Sequence, residues 1–81
     1  MNGFGGNVEQ RAVRLLEGLG ATVPFSINST FEDLGLLPGD VRSRINTEFF
    51  PAGTGFDASE LRAETTVGEL VFGIKEKLAE K

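Results

Sequence analysis

Apolar residues recur along this chain at helical rather than strand spacing. Val8, Ala12, Leu15, Leu16 and Leu19 stand at i, i+4, i+7, i+8 and i+11, which aligns them as one stripe on a helix. Asn7 precedes the stripe and Gln10 stands three residues on, a capping box in which each side chain satisfies the other's backbone N–H. Gly18 and Gly20 suit a helix end, so a first helix is predicted over about 7–19. Val41, Ile45 and Phe49 give a second, narrower stripe. Pro38 and Asp40 suit its opening and Pro51 its stop, which predicts a helix from Pro38 to about Phe50. Asp57-Ala58-Ser59-Glu60 is another capping box and opens a short helix of one or two turns to about Ala63. Thr66-Val67-Gly68-Glu69 is a third, followed by the stripe Val67, Leu70, Val71, Ile74 and Leu78. Lys75, Lys77 and Lys81 complement the negative pole of this last helix.

The connection from Ala21 to about Pro38 is harder to place. Pro24, Ser26, Asn28, Ser29 and Thr30 favour turns, yet Val23, Phe25, Ile27, Phe31, Leu34, Leu36 and Leu37 are too apolar for a solvated loop. It is expected to lie across a helical bundle, with one helical turn at Phe31–Leu34. Gly68 and Gly73 each cost up to about 1 kcal/mol against Ala in a helix interior, unless they permit close packing. Phe49 and Phe50 are neighbours and cannot both face one core from a helix. Phe72 lies about 140° from the centre of the last stripe and is an exposed aromatic unless the long loop or Phe4 covers it, the expected outcome being coverage. Residues 1–6, with Gly3-Phe4-Gly5-Gly6, are expected to be a flexible terminus, and 7–81 one all-α domain of three main helices plus a short third one.

Composition then removes whole classes of chemistry. The 81 residues include no cysteine and no histidine, so there is no disulfide, thiol nucleophile, imidazole base or zinc-thiolate site. Eight basic against twelve acidic residues give a net charge of −4, which opposes binding to a phosphate backbone, so no nucleic-acid partner is expected. No apolar run exceeds three residues, too short for a membrane span. The start lacks the pattern of a secretory signal, and a cytoplasmic setting is expected. Glu32 and Asp33 adjoin without a base, metal site or nucleophile around them, and the glycines match no P-loop or dinucleotide fingerprint. An enzyme is not expected.

The order of elements, with Ser29-Thr30-Phe31-Glu32-Asp33-Leu34-Gly35 and Glu64-Thr65-Thr66-Val67, resembles the acyl carrier protein family over about residues 7–80. The family runs a first helix, a long loop ending in a Phe-x-Glu-Asp-Leu-Gly-like phrase, an Asp-Ser-Leu motif opening the second helix, and a Thr-Thr-Val-like phrase capping the last. The resemblance implies an acyl-carrier-like four-helix bundle. In the family, a serine three residues after the glycine carries a phosphopantetheine arm. Here Leu36-Leu37-Pro38 stands in that place, and Pro38 has no hydroxyl.

No cofactor is therefore expected. The resemblance points instead to a non-catalytic domain acting through protein contacts in a biosynthetic or multi-subunit assembly. Its second helix carries Arg42 and Arg44 beside Asp40 and Glu48, where carriers are usually acidic. Pairing of Arg44 with Glu48 or Asp40 gives a solvated face; without it, the helix presents positive charge to an acidic partner. The expected partner surface is Leu36, Leu37, Pro38, Val41, Arg42 and Arg44, with Phe72. Two alternatives stand beside this. One is a genuine acyl or peptidyl carrier of fatty acid, polyketide or related biosynthesis that takes phosphopantetheine on Ser43. The other is an unrelated small helical interaction module.

Overall fold

The structure, a computed structural model, describes residues 6–22, 24–53 and 55–79. Four α-helices run in the order α1 (Gly6–Gly18), α2 (Phe31–Leu34), α3 (Pro38–Phe49) and α4 (Val67–Ala79), with a single 3₁₀ turn at Ala58–Glu60 between the last two. Among the described residues there is no strand, only one isolated antiparallel bridge, Thr30 to Thr66. The Cα radius of gyration is 11.7 Å, about what a compact chain of this length has. The chain is thus a mostly helical domain in which α1 packs against both α3 and α4.

The predicted stripes form the core. Ala12, Leu15 and Leu16 of α1, Val41, Ile45 and Phe49 of α3, and Val67, Leu70, Val71 and Ile74 of α4 are all buried. α1 begins at Gly6, one residue before the expected cap Asn7, whose side chain lies outside the described residues, as does Phe4. It ends in a Schellman turn: Gly20 takes φ 101°, and the N–H of Ala21 reaches back to the carbonyl of Leu16 at 3.1 Å. The same device ends α2. Gly35 takes φ 75°, and the N–H of Leu36 donates to Phe31 at 2.9 Å. In each case the residue after the glycine, Ala21 or Leu36, turns into the core.

A four-residue helix is too short to hold itself together, so α2 depends on its ends and on burial. Its N-terminus and that of α4 satisfy each other. The N–H groups of Phe31 and Glu32 donate to the carbonyls of Thr65 and Ala63, while those of Val67 and Gly68 donate to Ser29 and Ile27, all at 2.9–3.0 Å. The next N–H in each helix, Asp33 or Glu69, donates to its own capping threonine, Thr30 or Thr66, at 3.0 and 3.1 Å. Asp33 and Glu69 in turn accept the N–H groups of Thr30 and Thr66. The donors a helix start leaves without partners are thereby used in both helices.

Two readings are refined and one pairing is corrected. Phe49 and Phe50 are both buried, because the helix stops between them: Phe50 leaves helical geometry at φ −132°, ψ 57° and its ring turns back to the core beside Phe56, with centroids 6.2 Å apart. The short helix expected to about Ala63 is one turn, since Leu61 takes extended backbone (φ −120°, ψ 126°) to bury its side chain. Glu48 does not pair with Arg44 along α3; it takes Arg11 of α1 at 2.9 Å. The glycines of α4 do permit close packing. A Cβ on Gly68 would stand 3.1 Å from the carbonyl oxygen of Ile27, and one on Gly73 2.9 Å from the Phe56 ring.

Phe56 is itself fixed from α3. The side-chain amide of Asn46 accepts the Phe56 N–H at 2.8 Å and donates to its carbonyl at 3.1 Å. Lys77 of α4 lies 5.0 Å from the centre of the Phe56 ring and pairs with Glu60 at 3.1 Å. The Glu60 carboxylate also accepts the Asp57 N–H at 2.8 Å, and that bond, helped by Lys77, holds its pKa below the ordinary 4.5.

Candidate interaction surface

The corner before α3 is shaped by a proline. Pro38 occupies the first turn of α3, where its missing N–H costs nothing and its fixed φ suits the helix. It keeps Leu37 out of helical backbone, at φ −89°, ψ 132°. Alternation then splits the two leucines: Leu36 closes on the core and Leu37 is 67% exposed. Leu36 is thus corrected from a contact residue to a core residue.

Val41 is corrected in the same way. It is wholly buried, and its place in the stripe with Ile45 and Phe49 already requires that, so a partner cannot touch it. What α3 offers outward is Arg42, half-buried at the edge of the stripe, and Ser43 and Arg44, both exposed. Ser43 and Arg44 line a shallow hollow of about 550 Å³ with Asp40, Thr47 and Leu19.

Arg44 also lines a second groove, of about 300 Å³, between α3 and α1. Its other walls include Arg11 and Arg14, with Leu15 at its floor. Arg11 is held in place there, its guanidinium 2.9 Å from Glu48 and 4.5 Å from the centre of the Phe49 ring. Three of the chain's eight basic residues therefore converge on one groove of an acidic protein. Arg11 and Arg14 had no signal of function in the sequence, because their meeting with Arg44 depends on α1 lying against α3.

Phe72 is 62% exposed, so the expected cover from the long loop is corrected. Ile27 of that loop packs on Gly68, one turn short of Phe72, and is itself 56% exposed. The sequence-predicted set thus separates: Leu37, Pro38, Arg42 and Arg44 lie on or beside α3, Phe72 on α4, and Leu36 and Val41 inside. No described helix is long and apolar enough to cross a membrane. The chain matches no family model, no curated protein and no solved structure.

Proposed function

We propose that this chain is a non-catalytic, acyl-carrier-like interaction domain that carries no phosphopantetheine and works by offering the outer surface of α3 to an acidic protein partner. The observation that carries the reading is Pro38. It opens α3 three residues after Gly35, where the family that the chain resembles needs a serine hydroxyl. The helix order supports the fold half of the proposal: α1, a long connection with one helical turn, α3, a single 3₁₀ turn and α4. The Arg11, Arg14 and Arg44 groove supports the charge half. The role so read is a cytoplasmic one within a biosynthetic or multi-subunit assembly.

Ser43 keeps a second reading open to test, since it is an exposed hydroxyl on α3. Intact mass after incubation with coenzyme A and a promiscuous phosphopantetheinyl transferase decides between them. The expected result is no change. A gain of one phosphopantetheine mapped to Ser43 overturns the unmodified reading in favour of a genuine carrier. For the contact itself, reversing Arg42 and Arg44 to Glu should weaken capture of the partner recovered with the wild-type chain, with the melting temperature nearly unchanged. Undiminished capture removes this surface from the proposal.

A further inference from the structure

A groove with mainly apolar walls lies away from α3. It holds about 490 Å³ between one flank of α1 and the connection after it, a volume in the range of ligand-sized sites. Glu9, Val13 and Glu17 stand at i, i+4 and i+8 along the α1 wall; Phe25 and Ile27 form the opposite wall, and Val67 the floor. Among the described residues, no basic residue lines it. Each structural level contributes to this shape. The Schellman turn at Gly20 reverses the chain, and the bond from Gly68 to the Ile27 carbonyl ties the loop to the start of α4. Ile27 is thereby held at the lip with over half its surface in water. With the half-buried Val13 and Phe25 it makes a contiguous apolar surface, the kind that marks an interaction site.

The charges on the rim specify the occupant. Glu9 and Glu17 lie two turns apart, about 12 Å along the helix, one at each end of the apolar floor. Neither forms an ion pair among the described residues. We propose that this groove docks a helical segment of a partner protein that carries apolar side chains between two basic residues seven or eight positions apart, each meeting one of the two glutamates. An apolar face laid into such a groove is a recurring mode of helix recognition, and the opposed charges set its register and exclude acidic segments. The site is separate from the arginine groove on the other flank of α1 and does not depend on the carrier-like reading.

The probe is a synthetic, fluorescently labelled helical peptide with lysines at its first and eighth positions and leucines at its fourth and fifth, titrated against the full chain by anisotropy. Wild type should bind it, and Glu9→Lys/Glu17→Lys should weaken binding by about tenfold or more. A peptide with glutamates in place of the lysines should show the reverse preference. Ile27→Ser should weaken both pairings, and circular dichroism checks that each variant keeps its helices. The proposal fails if the lysine peptide does not bind, or if a neutral peptide with the same leucines binds as well. It also fails if reversal of Glu9 and Glu17 leaves the affinity unchanged. Sedimentation showing that wild type dimerises and that the double reversal separates the dimer would make the occupant a second copy, and overturns it too.

Discussion

Asn46 holds both the N–H and the carbonyl of Phe56, doing with one side chain what a neighbouring strand does with its backbone. Losing such a part-buried pair of bonds costs about 1–3 kcal/mol. Asn46→Ala should therefore lower the thermal midpoint by several degrees, since about 1 kcal/mol moves a domain of this size by roughly 4–8 °C. Two glycines give a sharper contrast. At Gly18 an added Cβ meets nothing within 4 Å, so Gly18→Ala should stabilise by up to about 1 kcal/mol. At Gly73 the same methyl meets the Phe56 ring at 2.9–3.0 Å, and Asn46 holds the backbone that carries that ring. Overpacking of about 1–3 kcal/mol outweighs the helix gain, so Gly73→Ala should destabilise. Calorimetry on the two variants tests the opposite signs; equal shifts would mean that Phe56 yields. At this scale the sequence told least. It showed that Gly73 was costly in a helix but not which ring uses the space, because Phe56 reaches it from another element.

Elements were the most legible level, because capping is local chemistry. Thr66 and Glu69 bond as their spacing requires, and Glu60 accepts the Asp57 N–H while its own N–H turns to the Asp57 carbonyl. The box at Thr30 and Asp33 escaped notice because Asp, not Glu or Gln, stands at its third position. Of the one or two turns the spacing allows after Asp57, only the first forms, because Leu61 answers to the core rather than to its neighbours. The turn at Asp57–Glu60 also has a pH dependence. A carboxyl held below its ordinary value in the folded chain contributes stability at pH above about 4.5, and loses it as pH falls through the lowered value. Wild type should therefore lose more stability than Glu60→Gln as pH is brought from 6 towards 3. Melting curves of both across that range are the check, and parallel curves would show that Glu60 contributes nothing there. The effect is small, because the Glu60–Lys77 pair lies at the surface and is partly screened by water.

At the level of the whole molecule, the sequence carried the fold class but not the surfaces. Pro38 was visible as a missing hydroxyl, and the stripe already contained the reason why Val41 is inside. The arginine groove and the glutamate groove were invisible, since each needs two elements side by side. α1 carries both, with Arg11 and Arg14 on one flank and Glu9 and Glu17 on the other. Reversal of Arg42 and Arg44 and reversal of Glu9 and Glu17 should accordingly act on different partners. Each pair should leave the other's binding intact, which a competition assay with the lysine peptide reads directly.

The crossed bonds between the starts of α2 and α4 have a consequence in time. Phe31 and Glu32 on one side, and Val67 and Gly68 on the other, are more than thirty positions apart, yet each pair of amides is closed only by the other segment. Neither helix start can fray by itself without stripping donors from its counterpart. In deuterated buffer these four amides should therefore exchange late and with one common opening free energy, like teeth of a single clasp. Thr30→Val, which removes one cap without touching the crossed bonds, should then speed exchange at Val67 and Gly68 as well as at Asp33.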